Sequence, residues 1–217
     1  MTETLEWSPV DAMDAAFGGQ ECDLIVGAGD VVRLSVHRWA CDSDATDHRL
    51  FLDHCSGTTL DVGCGPGRLA GALAAREVHA VGIDVSAEAV RLARVRGAVA
   101  LCKDVFGHVP GAGTWDHALL ADGNIGIGGD PVRLLRRVAD LVHPGGTVLA
   151  EVDPPGGGLV HDRVRLRVGE RVSAPFPWAF VGADAIGTVA HAAGLAVRGL
   201  RQLAGRRVAV LGHHRTE

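Results

Sequence analysis

Apolar positions along the chain gather into short continuous runs, separated by helix-length stretches that carry both apolar and polar faces. Thr58 to Gly63 (T-T-L-D-V-G) reads as a short buried strand, and Arg68 to Arg76 as the helix after it. Val78 to Asp84 (V-H-A-V-G-I-D) is a second strand, with Ser86 to Arg96 as its helix. Val99 to Cys102 is a third strand and Trp115 to Ala121 a fourth. Asp130 to Val142 is helical, and Thr147 to Val152 is a fifth strand. Val181 to Ala193 is another helix, after which Ala196 to Leu200 and Arg207 to Leu211 close as a hairpin. Strands apolar throughout and alternating with helices predict a parallel sheet covered on both faces, the doubly wound α/β class.

Two pieces break the alternation. Residues 1–57 carry an apparent hairpin, C-D-L-I-V from Cys22 and V-V-R-L-S-V-H-R from Val31, and a helix near Asp47 to Cys55. They are read as an N-terminal extension that caps the cofactor and substrate side of a core spanning 58–217. Residues 153–180, rich in Pro and Gly, are read as a lid-like insertion in that core.

Composition changes this picture little. A chain of 217 residues, 47% hydrophobic and 22% charged, suits one soluble domain with some decoration. Acidic residues outnumber basic ones by 26 to 21, so no global charge attracts nucleic acid or an anionic membrane. The acidic N-terminus lacks the apolar core of a signal peptide, and no apolar run reaches membrane-spanning length. Cys22, Cys41, Cys55, Cys64 and Cys102 are scattered and never form C-x-x-C. That argues for reduced thiols in a cytoplasm, with no disulfide framework and no metal site. A single lysine, Lys103, among many Arg, Ala, Gly and Val residues resembles the coding bias of a GC-rich bacterium.

The candidate chemistry starts at L-D-V-G-C-G-P-G-R, Leu60 to Arg68, where the first strand turns into its helix. In an open α/β sheet the ligand lies beyond the carboxyl ends of the strands, where strand order reverses. Glycine there lets backbone approach a ligand closely. A dinucleotide fingerprint needs glycine at 63, 65 and 68; position 68 is Arg, and Pro66 removes an N–H that a pyrophosphate would use. Three carboxylates join the turn. Asp84 ends the second strand, where it can accept both ribose hydroxyls. Asp104 follows the third strand in C-K-D-V-F, placed for an adenine amino group with Val105 or Phe106 over the ring. Asp61 can set negative charge near a ligand's ammonium. Each also reads as an ordinary strand-end or turn carboxylate.

Together these residues resemble the class I S-adenosylmethionine-dependent methyltransferases, over about residues 58–212. L-D-V-G-C-G-P-G-R resembles their first motif, G-I-D-V-S from Gly82 the acidic end of their second strand, and K-D-V-F from Lys103 their adenine segment. W-D-H-A-L-L from Trp115 resembles their fourth strand, and L-V-H-P-G-G-T-V-L-A-E from Leu141 the loop and strand beyond the next helix. The resemblance implies a Rossmann-like, seven-stranded, mostly parallel sheet with an antiparallel C-terminal hairpin. It implies S-adenosyl-L-methionine as cofactor, with Gly63, Gly65 and Gly67 under the methionyl portion, Asp84 and Val85 at the ribose, Asp104 at adenine, and Ala121 closing the fourth strand beside the ligand. The family's acceptors range from small metabolites to macromolecules; the leading reading here is a small molecule, methylated at oxygen or nitrogen by a monomer or homodimer.

A sulfonium methyl is already activated, so alignment and exclusion of water can supply roughly 7–11 kcal/mol of barrier lowering, and a positioned base about 10²–10⁴-fold. Candidates for orientation or proton removal are Asp122 and Asn124 in A-D-G-N-I-G-I-G-G-D-P, and His37 in V-H-R-W. Turn chemistry is the competing reading of the first two, and a structural histidine that of the third. Asp130–Pro131 reads as a helix cap. Arg163, Arg165 and Arg167 alternate with Val164, Leu166 and Val168, giving either a solvated basic face or a lid that holds an anionic substrate. The runners-up in function are a different reaction of the same cofactor, such as aminopropyl transfer, and a non-catalytic cofactor-binding subunit.

Overall fold

The structure, a computed structural model, describes residues 7–214, and these form two sheets that meet over one cavity. The N-terminal part runs α1 (Pro9–Phe17), β1 (Cys22–Val26), β2 (Asp30–Arg33), α2 (Val36–Trp39) and α3 (Ala45–Leu50), then a 3₁₀ turn over Leu52–His54. The alternating core follows: β3 (Thr59–Val62), α4 (Arg68–Ala75), β4 (Ala80–Asp84), α5 (Ala87–Val95), β5 (Val99–Cys102) and β6 (Trp115–Leu120). After a second 3₁₀ turn come α6 (Pro131–Leu141), β7 (Val142–Val152), β8 (Leu159–Val168), β9 (Arg171–Val172) and β10 (Phe176–Val181). The chain ends with α7 (Ile186–Ala192), β11 (Leu195–Leu203) and β12 (Arg206–His213).

The large sheet has the order β11-β12-β7-β6-β3-β4-β5. Strands β3 to β7 pair in parallel, and β12 runs antiparallel to both β7 and β11. This is the seven-stranded doubly wound architecture expected, with its antiparallel hairpin. Buried Leu60, Leu120, Leu134, Val148 and Ile186 fill one face, and Leu69, Leu73, Leu119 and Leu149 with Phe51 fill the other. Order reverses between β3 and β6, so the crevice opens at their carboxyl ends. Ser86 caps α5 by accepting from Ala89 N at 2.9 Å, and Asp130 caps α6 by accepting from Arg133 N at 3.0 Å, with Pro131 at the first helical position.

The second sheet joins pieces far apart in sequence, in the order β10-β8-β1-β2, with β9 on β8. Leu24 stands opposite both Val32 and Leu166, and Val164 opposite Phe176, so one face is apolar from strand to strand. The extension and the insertion are therefore one structural unit, which periodicity in either segment alone does not reveal. Helix α1, which the sequence pattern did not disclose, is capped by Ser8 with Pro9 at its start and packs on this sheet.

Two local expectations change. The run from Val31 leaves the strand after Arg33, because Leu34 N makes the last ladder bond to Cys22 O (2.9 Å), where β1 begins. With no partner left, the backbone satisfies itself as the turn of α2. Val181 belongs to β10, opposite Leu159, so the next helix starts only at Ile186. His213 pairs with Leu195 at the end of β12.

Candidate active site

A cavity of about 820 Å³ lies across the carboxyl ends of the large sheet and beneath the second sheet. Its floor on one side is the turn after β3 and the ends of β4 and β5; on the other it is the ends of β6 and β7.

On the first side, the turn from Gly63 is held rigidly. Gly63 and Gly65 lie against the cavity, both with positive φ (69° and 53°). Asn124 Nδ2 donates to the carbonyls of Val62 (3.0 Å) and Gly63 (2.9 Å), and a Cβ on Gly63 would stand 2.6 Å from that nitrogen. Gly67 has another task. It caps α4 in the left-handed region, and a Cβ there would lie 2.8 Å from Ala93 Cα, so it permits α4 to pack on α5 away from the cavity. Asp84 accepts from Gly65 N and Ser86 N, each at 2.9 Å, one bond per carboxylate oxygen. Each oxygen keeps a lone-pair direction for a further donor. Val85, Asp104 and Val105 also line this side, whereas Phe106 does not: its ring lies beneath the Arg133 guanidinium, 4.2 Å from its centroid. Helix α1 covers the same half through Met13 and Phe17, and Asp14 accepts from the Ser86 hydroxyl.

On the second side lies an ion-pair cluster drawn from six segments. Arg68, 4% exposed, bridges Asp47 and Asp122. Arg206, at the tip of the C-terminal hairpin, contacts Asp47 (2.6 Å), Glu151 (2.7 Å) and Asp122 (3.5 Å). Arg38 stands looser, 3.6 Å from Asp47 and 3.7 Å from Asp122. Asp122, at φ 53°, also has its own N–H accepted by Glu151 at 2.8 Å. Burial alone would raise Asp47, but hydrogen bonds from Arg68 and Arg206 bring it down to about 2. For Asp122 burial outweighs Arg68, and the carboxyl is raised. Asp61, sealed beneath the turn, is pushed up to about 7 by burial against the opposing pull of Arg68.

Of the expected catalytic residues, Asp122 and Asn124 reach the cavity; His37 is exposed on α2 and stays outside it, while its neighbour Arg38 lines the wall. Ala121 lies in the wall, buried. The glycines after Asn124 serve close packing as well as turning: a Cβ on Gly129 would meet Pro177 Cβ at 2.7 Å, because β10 crosses the loop there. The arginines of β8 do not face the cavity. Leu166 does, while Arg167 pairs with Asp23 (2.7 Å) and Arg163 donates to Pro175 O (2.9 Å). An anionic substrate held by these arginines is thereby excluded, and the solvated basic face is what the chain builds. Sequence reasoning missed Glu151, Asp153 and Arg206. The signal was present in E-V-D, since two carboxylates two residues apart at a strand end share one face.

Residues 59–146 match the family model described as a methyltransferase domain. Among solved structures, an S-adenosylmethionine-dependent methyltransferase from Bacteroides fragilis, crystallised with S-adenosyl-L-homocysteine, is similar at a TM-score of 0.79 and 21% identity, over 98% of this chain and 99% of that one. The O-methyltransferase NcsB1 from neocarzinostatin biosynthesis, bound to S-adenosyl-L-homocysteine and 1,4-dihydroxy-2-naphthoic acid, gives 0.59 and 20%, over 82% and 55%. The 1,6-didemethyltoxoflavin-N1-methyltransferase of Burkholderia thailandensis gives 0.54 and 16%, over 81% and 76%. No curated protein matches the sequence. Residues 59–146 thus resemble a methyltransferase domain, and the described residues share the Rossmann-like fold of these methyltransferases.

Proposed function

We propose that the protein transfers a methyl group from S-adenosylmethionine to an oxygen or nitrogen of a small molecule. The cavity floor carries this reading: a glycine turn bounded by Asp61, Asp84 and Asp122, with the adjacent Arg68 committed to Asp47 and Asp122. Such a wall favours a cation over a phosphate. The residues present fit the group. Gly63 and Gly65 give backbone without Cβ for the amino-acid tail, with Asp61 near its ammonium. Arg38, loosely paired, and the unpartnered Nε of buried Arg68 suit its carboxylate. Asp84 receives the ribose hydroxyls beside Val85; Asp104 receives the adenine amino group, and Val105 covers the ring. When bound there, S-adenosylmethionine supplies a methyl group activated by its positive sulfur.

The chain then has to hold an acceptor behind that methyl and keep water out. Asn124 fixes the turn, and Asp122 is locked by arginines at the junction of the two halves, which suits orientation. The second sheet closes the acceptor half from above. Incubation with methyl-labelled cofactor and a fractionated metabolite extract, followed by identification of the labelled product, tests the proposal. Labelled small molecule plus S-adenosylhomocysteine is the expected result. Methylthioadenosine as co-product would assign aminopropyl transfer instead. Calorimetric binding of NADH without binding of S-adenosylhomocysteine would overturn the reading.

A further inference from the structure

Beyond β6 the cavity changes character. Its roof is the apolar face of the second sheet, where Leu24, Val32, Leu166, Phe176 and Trp178 line it together. The paired register places Val32, Leu24 and Leu166 in one row across three strands, a flat surface. The charges beneath are mutually satisfied: Asp122 and Glu151 are engaged by Arg68 and Arg206. One carboxylate at this floor stands apart. Asp153, immediately after β7, lines the cavity and forms no ion pair among the described residues. Its backbone is fixed on both sides, donating to Val181 O at 2.9 Å and accepting from Ala183 N at 3.0 Å. A fixed strand end thus presents a free, solvent-exposed proton acceptor at the margin of the cavity, on the side of the apolar roof. Partial desolvation at the cavity margin, reinforced by the neighbouring Glu151 carboxylate, raises the Asp153 carboxyl, in the direction that favours a base.

We propose that the acceptor is an uncharged, flat aromatic alcohol or amine lying against the second sheet, and that Asp153 is the catalytic residue that takes its proton. The assignment rests on the methyltransferase reading above. For an alcohol, the O–H proton passes to a carboxylate oxygen of Asp153 as the oxygen's electron pair bonds the methyl carbon. For an amine, the nitrogen lone pair bonds the methyl carbon and the resulting ammonium then gives an N–H proton to Asp153. In both cases the pair that joined this carbon to sulfur stays on sulfur as a neutral thioether. An apolar roof disfavours a permanently charged acceptor, because desolvation of an unpaired charge is costly.

The test uses 2-naphthol, 6-hydroxyquinoline and naphthalene-2-sulfonate with a hydroxyl added, each supplied with methyl-labelled cofactor. Quenching of naphthol fluorescence measures binding to the protein saturated with S-adenosylhomocysteine. Neutral acceptors should bind and be methylated, the sulfonated one neither. Asp153→Asn should lower kcat by about 10²–10⁴-fold while naphthol binding and S-adenosylhomocysteine affinity stay within about threefold, and Asp153→Glu should restore part of the rate. The loss should shrink with 4-nitrophenol, which ionises without help. An unchanged kcat in Asp153→Asn overturns the base. Equal methylation of the sulfonated compound, or no methylation of any neutral aromatic by protein that binds S-adenosylhomocysteine, overturns the acceptor class. Absence of S-adenosylhomocysteine binding would be a failure of the methyltransferase reading itself.

Discussion

At the scale of single residues, Asp61 and Gly63 govern the cofactor half in opposite ways. Asp61 is a carboxyl whose folded pKa, about 7, lies above its ordinary value of 3.8. A raised acid binds more protons in the folded than in the unfolded state between those values, so stability falls as pH rises from about 4 to about 7 and the penalty persists above. Asp61→Asn removes it. The apoprotein variant should melt about 5 °C higher than the parent at pH 8 and no higher at pH 4. The same carboxylate should attract the ligand's ammonium, so S-adenosylhomocysteine affinity should rise with pH through 7 in the parent only. The binding enthalpy should then depend on buffer ionisation, because binding releases the proton. Gly63 acts by shape. In Gly63→Ala the new methyl meets Asn124 and the residue sits at φ 69°, so calorimetry should show S-adenosylhomocysteine binding weakened at least about tenfold. Unchanged affinity would mean that the tail does not approach this turn.

At the scale of elements, the ion-pair cluster is the joint of the molecule. It ties α3 through Asp47, α4 through Arg68, the loop after β6 through Asp122, β7 through Glu151 and the final hairpin through Arg206. Buried pairs contribute little against an apolar replacement, yet breaking one strands the partners. Arg68→Met leaves Asp47 and Asp122 short of their main neutralising group. Chemical denaturation should show a loss of about 3–5 kcal/mol, partly recovered in the double variant Arg68→Met with Asp47→Asn. Equal stability of parent and single variant would show that Arg206 alone suffices. The cluster also shows why the sequence was legible in one half of the site and not in the other. Gly63, Gly65, Asp84 and Asp104 sit at successive strand ends, where spacing along the chain maps directly onto position in space. Arg68, Asp47, Glu151 and Arg206 meet only because β12 inserts beside β7 and α3 folds beneath, and no local pattern encodes that meeting. Arg68 registered in the sequence only as a missing glycine.

At the scale of the whole molecule, the boundary drawn near residue 57 separates chain segments but not structure. Strand β1 lies inside the second sheet, between β8 and β2, and the buried faces of Val164, Leu166 and Val168 rest partly on it and on α1. Each segment alone shows ordinary strand alternation, so its partner had to be found in three dimensions. A chain starting at Thr58 keeps the whole large sheet and the glycine turn, but it uncovers the apolar face of β8 and β10 and removes Arg38, Asp47 and the α1 cover of the cofactor half. An unpaired apolar edge of this kind promotes association. The shortened protein should therefore elute as aggregates, bind a hydrophobic dye strongly, and fail to bind S-adenosylhomocysteine. A monodisperse product that binds the cofactor product with parental affinity would show the large sheet to be self-sufficient. The second sheet would then matter to the acceptor alone, and the cofactor pocket would have to be rebuilt without α1, Arg38 or Asp47.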